Sequence, residues 1–172
     1  MRAPFRLPEQ PATRLGLLLA QLEDGRARTL RIVATAPAEL LHHSSPDFPN
    51  SLAAHLAHLA AIELDWLYCD LLGVEIPAEA LENFPIDDVR QADGRLAQAE
   101  TATLPELLAA LARARYLLLT ECARLAEPDL AELVQGLEGA ATPEWILSHL
   151  LQHEAEHRGV MRRMIAAWAP RA

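Results

Sequence analysis

Residues 142–159 place three histidines four residues apart, at His149, His153 and His157. The segment reads as the start of a long helix, in which residues four apart lie on one face about one turn from each other. Two imidazoles with this spacing can bind a single metal ion. The pattern therefore constrains the fold, because whatever packs against this face must accommodate several imidazole rings.

A second group of histidines, His55 and His58, lies in a strongly apolar segment that also reads as helical. Five of the seven histidines of the chain fall in these two segments. If the two helices pack side by side, the sequence describes a metal site built between them.

The composition favours an all-α protein. Apolar residues make up 51% of the 172 residues, with only 5% aromatics, and Leu and Ala dominate. Both are strong helix formers, whereas the β-branched residues that favour strands are scarce. We predict one domain, residues 1–172, folded as a four-helix bundle with a long connection between helices 2 and 3, which serves as a crossover, a lid, or both. The predicted helices span about 12–35, 51–72, 103–125 and 142–168, and residues 129–137 are predicted to add a further helical turn or two.

Several residues mark the ends of the predicted helices. Asn50 is the predicted N-cap of the second helix and Gly73 its C-terminal stop. Thr103 with Glu106 forms a capping-box pattern at the start of the third helix. Gly25 is unfavourable within the first helix, because Gly costs about 1 kcal/mol in a helix interior.

The charge and the apolar pattern exclude some classes of function. The formal net charge of −9 argues against a nucleic-acid-binding role. No apolar run approaches the roughly 20 residues of a membrane span, and the N-terminus lacks a signal-peptide pattern. We therefore expect a soluble, cytoplasmic protein without membrane partners. The two cysteines, Cys69 and Cys122, have no metal-binding spacing and are expected to be buried thiols.

A helical wheel of the last helix separates its histidines. His153 and His157 fall inside the apolar stripe and His149 lies at its margin, whereas Glu154 and Arg158 fall on the opposite arc, which we expect to be solvated. Buried imidazoles need partners for their nitrogens. A metal ion such as Zn, Ni, Fe or Cu is one solution. The alternative is a pair of core histidines hydrogen-bonded to side chains of other helices.

The second helix is apolar on most sides, so its wheel does not choose between His55 and His58 as a third ligand. The other histidine is then expected either to hydrogen-bond a ligand or to lie near the surface.

Together, the two motifs resemble the DinB/YfiT-like family. The resemblance rests on His58 followed by Glu63 and Trp66 in the second helix, and on the run from His153 through His157 to Gly159 in the fourth. It implies a four-helix bundle that binds one divalent transition metal (Zn, Ni, Fe or Mn) through His58, His153 and His157. Three protein ligands leave a coordination position open, as in catalytic rather than structural sites.

The resemblance also implies classes of function. Some relatives are S-transferases that use low-molecular-weight thiols such as bacillithiol or mycothiol, others are proteins induced by damage or stress, and members are often homodimers. The leading hypothesis is thus a metal-dependent hydrolase or thiol S-transferase acting on a small-molecule substrate. The alternatives are a non-enzymatic, stress- or damage-associated metal-binding protein and a metal-free helical protein.

Three further residues and the long connection have two interpretations each. Glu63 or Asp65 is expected either to orient a ligand imidazole or, the favoured interpretation, to lie on a solvated helix surface. Arg158 is expected on the solvated arc, with contact to an anionic substrate as the alternative. The connection of residues 74–102 is expected either to cover the mouth of the site or only to join helix ends.

Overall fold

The protein is described by a computed structural model that covers residues 13–86, 88–137 and 139–168. The prediction of an all-α protein is confirmed, since helices account for most of these residues and the two strands are only two residues long. The helices are α1 (Arg14–Val33), α2 (Leu52–Asp65), the short α3 (Ala78–Leu81), α4 (Leu104–Cys122) and α5 (Pro143–Ala167), with 3₁₀ turns at Ala38–Leu40 and Glu127–Ala131, a π-helical turn at Trp66–Leu71, and strands β1 (Val134–Gln135) and β2 (Ala140–Ala141).

The N-terminus of α2 differs from the prediction by one residue. Ser51, not Asn50, is the N-cap, and its hydroxyl oxygen accepts a hydrogen bond from the Ala54 amide at 3.1 Å. The Asn50 side chain instead accepts from the amide of Leu96 at 3.0 Å. Asn50 therefore holds the long connection between α2 and α4 to the start of α2 by a hydrogen bond. The hydroxyl of Ser51 caps the helix instead.

The predicted starts of α4 and α5 are confirmed. Thr103 and Glu106 form the reciprocal capping box, in which the Glu106 carboxylate accepts from the Thr103 amide at 2.7 Å. The Thr142 hydroxyl caps α5 by accepting from the Trp145 amide at 3.2 Å, with Pro143 in the first turn. These caps satisfy amides that would otherwise have no partner within the helix.

The prediction of helix for residues 129–137 is only partly correct. A 3₁₀ turn covers its first residues, but β1 then pairs antiparallel with β2. This hairpin lies against the π-helical turn, where the Leu137 amide donates to the Cys69 carbonyl at 2.8 Å. A Cβ on Gly136 would lie 2.6 Å from the Asp70 Cα, so only glycine permits this approach. A long-range contact, rather than local propensity, therefore sets the structure here.

The long helices pack in pairs, α1 on α5 and α2 on both α4 and α5. Gly25 lies where α1 approaches α5, since a Cβ there would contact Leu151 at 3.4 Å. The arc of α5 that we predicted to be solvated is partly buried: Glu154 is only 3% exposed, and Arg158 donates to the Gly25 carbonyl at 3.1 Å, whereas Gln152 and Arg162 are exposed. The prediction was wrong for Glu154 and only partly correct for Arg158, because α5 is covered on two sides, by α2 and by α1.

A search of the described residues finds no helix with the length and apolar character needed to cross a membrane.

Candidate metal centre

Three histidines on two helices converge in the core. His58 is supplied by α2, and His153 and His157 by successive turns of α5. One ring nitrogen from each lies within 4.8 Å of the others, and the Nε2 atoms of His58 and His153 are 3.2 Å apart. His58 is fully buried and the other two are partly buried. We call these three residues the histidine cluster; they are the three that the family resemblance implied as ligands.

Burial keeps the histidine cluster neutral. It lowers the pKa of His58 to about 4, with repulsion from His153 and Arg90 adding to the effect. Burial and the neighbouring imidazoles lower the pKa of His157 to about 2, and burial also lowers that of His153. Near neutral pH each ring is therefore neutral, with one N–H and one nitrogen whose lone pair is free, which is the form that binds metal ions.

His55 orients one member of the cluster. Its Nδ1 lies 2.7 Å from Nδ1 of His157, so one ring donates a hydrogen bond to the other. Burial lowers the pKa of His55 to about 4, so this ring is also neutral. The sequence left open whether His55 or His58 joins the α5 pair, and the structure places His58 in the cluster and His55 behind it. A hydrogen bond to the far side of a ligand ring is the usual means by which proteins fix its orientation.

The backbone of the long connection approaches His58. His58 Nδ1 is buried and makes no hydrogen bond of normal geometry within the described residues. The Val89 backbone is nevertheless close enough to raise the pKa of His58 slightly against the larger effect of burial. The connection between α2 and α4 thus passes near His58, and its covering of the mouth of the site stays a prediction.

The cluster fits a divalent transition metal by its chemistry and by its closest distance. An ion bound tetrahedrally at about 2.1 Å from each nitrogen holds two ligand nitrogens about 3.4 Å apart. The His58 and His153 nitrogens are 3.2 Å apart. Three neutral imidazoles are a donor set that suits Zn, Ni or Fe better than Mg or Ca. The group could therefore hold a metal ion, which would replace the hydrogen bond between these two rings.

His149 belongs to a different group. Its ring stacks on Trp145, with centroids 5.1 Å apart and planes within 4°, and lies 4.7 Å from the Trp66 ring. We call these three residues the ring stack. His149 contacts the cluster only through the His153 ring, at 6.0 Å between centroids. The helical wheel placed His149 at the margin of the apolar stripe, and the structure agrees. Trp66, the first residue of the π-helical turn, is the third ring of the stack.

The carboxylate of Glu63 does not orient a histidine and does not face solvent, so both of our interpretations of this residue were wrong. It is 3% exposed, and it binds the guanidinium groups of Arg26 and Arg115, each at 2.6 Å. Glu154 binds the same two guanidiniums, at 3.0 and 3.2 Å. These four residues, one each from α1, α2, α4 and α5, form what we call the ion-pair network. Asp65, the last residue of α2, is partly exposed.

A signal for the ion-pair network was present in the sequence. Arg26, Glu63 and Arg115 each interrupt an otherwise apolar helical surface. Burial alone would lower the pKa of Arg115, but Glu63 and Glu154 raise it overall, so the guanidinium stays charged. Charges of opposite sign in apolar helices indicate a buried pair, although a single sequence does not show which residues meet.

Comparison with known proteins agrees with this fold. A solved structure of a conserved protein from Enterococcus faecalis is similar to 91% of this chain, and 99% of that protein is covered, with a TM-score of 0.67 at 16% sequence identity. No curated protein matches the chain significantly. The model of the DinB superfamily matches residues 21–161, most of the chain, and the chain therefore belongs to the DinB superfamily.

Proposed function

We propose that this protein is a metal-dependent enzyme that binds one divalent transition metal through His58, His153 and His157 and acts on a low-molecular-weight thiol. The observation that carries the proposal is the convergence of three neutral imidazoles from α2 and α5, with ring nitrogens within 4.8 Å of one another. The paired packing of the long helices supports the four-helix bundle expected of the superfamily. Three protein ligands leave a position for substrate.

The residues of this chain would hold and orient the metal. Because Nδ1 of His157 is occupied by His55, Nε2 is the nitrogen available for coordination. His58 would use Nε2, the atom that lies 3.2 Å from Nε2 of His153. A divalent ion held there supplies Lewis acidity, which lowers the pKa of a thiol or water that reaches the open position.

The surroundings favour thiol transfer over hydrolysis. Glu63 and Glu154 are the buried carboxylates closest in sequence to the cluster, and guanidinium groups engage both of them. Neither is therefore placed to accept a proton from water as a general base. A thiol has a pKa near 8.5 and ionises far more readily than water, so it needs less help from a base. The transfer would form a sulfur–carbon bond to an electrophile, release its leaving group and return the thiol proton to solvent.

Metal analysis tests the first part of the proposal. Protein purified without a histidine tag should contain, or take up, about one equivalent of metal. Added Zn or Ni should raise the unfolding temperature of the wild type but not that of a His153→Ala, His157→Ala variant. If metal is absent and added metal stabilises both proteins equally, the proposal fails and a metal-free role for the histidines is left.

A transfer assay tests the second part. Metal-loaded protein is incubated with a panel of low-molecular-weight thiols and an alkyl halide acceptor, and thioether formation is followed. Turnover in the wild type that is lost in His58→Ala supports the enzyme. A protein that binds metal but gives no turnover with any thiol would instead be a non-enzymatic metal-binding protein. The engagement of both buried carboxylates, Glu63 and Glu154, in ion pairs favours this second candidate over a hydrolase.

A further inference from the structure

The rings along one face of α5 form a continuous column. Trp145, His149, His153 and His157 follow one another at a spacing of four residues, so they lie on successive turns of the helix. Their ring centroids are separated by 5.1, 6.0 and 4.5 Å, in that order. The ring stack therefore adjoins the histidine cluster, and with steps of 5.1 and 6.0 Å the Trp145 ring lies at most about 11 Å from that of His153.

The histidine cluster meets solvent on this same face of α5. His58, which α2 supplies, is fully buried, whereas His153 and His157 are partly exposed. His149 is also partly exposed, and Trp145, at the N-terminal end of the column, is 52% exposed. A ligand that reaches the cluster from solvent therefore meets it at the rings of α5, and the ring stack lies beside that approach.

The ring stack presents aromatic surface to such a ligand. The planes of Trp145 and His149 lie within 4° of each other, so His149 covers one face of the indole. Trp66 contacts the same indole at 52°, with centroids 5.4 Å apart, and belongs to a π-helical turn, a feature frequent at functional sites. The exposed half of Trp145 leaves indole surface free. Because the two indoles are in contact rather than facing each other across a gap, they suit a flat aromatic group rather than an enclosed cation.

We propose that the ring stack binds a planar aromatic group of the electrophilic acceptor, and so makes the enzyme selective for aromatic acceptors. This inference rests on the proposed function and names the class of its second substrate. The thiol sulfur would take the open position at the metal, while the flat group of the acceptor would lie on Trp145. No bond to Trp145 changes during the reaction, so it would be a specificity-determining residue that contributes to acceptor binding.

A matched pair of two-ring alcohols tests the proposal. 2-Naphthol is flat, whereas decahydro-2-naphthol has the same carbon skeleton and hydroxyl but puckered rings. Calorimetry with the zinc-loaded protein gives the two dissociation constants, and their ratio is compared among the wild type, Trp145→Leu and Trp145→Phe. Trp168→Leu is the control, because it makes the same change at the other end of α5, where Trp168 packs against His43. Cobalt-loaded protein gives a second readout, since paramagnetic Co²⁺ broadens the NMR signals of a ligand that binds near it.

The expected result is a change in preference rather than a general loss of binding. Trp145→Leu should reduce the preference for 2-naphthol by about threefold or more, which is the size expected of one aromatic stacking contact. Trp145→Phe should keep part of the preference and Trp168→Leu all of it, and Co²⁺ should broaden the signals of 2-naphthol in the wild type more than Zn²⁺ does. If Trp145→Leu and Trp168→Leu change the ratio equally, if neither does, or if cobalt causes no broadening, the assignment of the ring stack is overturned. A failure of the proposed function is recognised separately: the protein takes up no metal or turns over no thiol, and the acceptor role then fails even where the ratio still depends on Trp145.

Discussion

The ion-pair network and the histidine cluster are both buried, and both join α2 to α5, but they satisfy their polar atoms differently. In the ion-pair network every carboxylate binds two guanidiniums, and the remaining guanidinium nitrogens donate to the Leu111 and Leu22 carbonyls at 2.8 Å. In the histidine cluster two ring nitrogens of the same kind face each other at 3.2 Å, and a third lies nearby. The first arrangement is complete within the protein, whereas in the second His58 Nδ1 is buried and makes no hydrogen bond within the described residues.

This difference separates a structural role from a functional one. Two positive and two negative side chains cancel, so the ion-pair network calls for no further ligand. Four helices each supply one charge, which makes it suited to fix the packing of α1, α2, α4 and α5. The histidine cluster is neutral and electron-rich, so a cation would complete it. The experiments below test whether the two clusters can be broken independently.

The largest effect is expected from Glu63→Ala, which removes the carboxylate that Arg26 and Arg115 share. Two guanidiniums would then stay buried with only Glu154 between them, and stability should fall by about 3–5 kcal/mol. Denaturant unfolding of the metal-free protein measures this loss. The control is Glu23→Ala, since Glu23 binds Arg115 at 3.0 Å but its side chain is 50% exposed. Its loss should be below about 1 kcal/mol. Equal losses in the two variants would contradict a structural role for the network.

Metal-dependent stabilisation should disappear when the histidine cluster is broken. At a free metal concentration 100 times the dissociation constant, binding adds about 2.7 kcal/mol to the wild type. The His153→Ala, His157→Ala variant should gain nothing, while His149→Ala, which alters only the ring stack on the same helix, should respond like the wild type. The measurement is denaturant unfolding with and without Zn. A smaller stabilisation by Zn in His149→Ala than in the wild type would instead indicate that His149 is a metal ligand.

His55→Ala tests the hydrogen bond behind His157. Loss of a partner that orients a ligand commonly weakens metal affinity by about 10–100-fold. The ligand set stays complete, so stoichiometry should stay at one ion, with affinity measured by competition with a chromophoric chelator. His43→Ala is a suitable control, because His43 packs edge-on against Trp168, away from the cluster. If affinity is unchanged in His55→Ala, the 2.7 Å contact serves packing alone.

The histidine cluster was more predictable from the sequence than the ion-pair network. A spacing of four recurs within one helix, so His153 and His157 share a face wherever that helix packs. Glu154 was misassigned because a wheel shows one apolar stripe, while α5 is covered on two sides by α1 and α2. The pairing of Glu63 with residues 37 and 52 positions away depends on the packing of three helices, which local periodicity does not contain.

The ends of the elements show the same limit. Thr103 and Glu106 are three residues apart, so their capping box is a local property and was predicted correctly. Ser51 and Asn50 are both good caps, and what distinguishes them is the distant Leu96 amide that occupies Asn50. The hairpin of β1 and β2 was missed because its position depends on the approach of Gly136 to Asp70. A cap formed by neighbouring residues could be predicted from the sequence, whereas structure that depends on long-range contacts could not.

The last effect expected is a pH dependence of stability that the buried histidines cause. The pKa values of His55 and His58 fall from 6.5 to about 4 on burial, so below pH 6.5 the unfolded chain binds protons that the folded chain does not. Stability of the metal-free protein should therefore decrease as pH falls from about 6.5 towards 4, by up to about 1.4 kcal/mol per pH unit for each of these two rings, with His153 and His157 adding to the slope. Denaturant unfolding at pH 7.0, 6.0 and 5.5 measures the slope. The His153→Ala, His157→Ala variant should have a shallower slope because fewer rings must stay neutral, whereas Glu23→Ala should keep the wild-type slope. A slope equal in all three proteins would assign the acid sensitivity to groups outside the cluster, and would remove the argument that its rings are held neutral by burial.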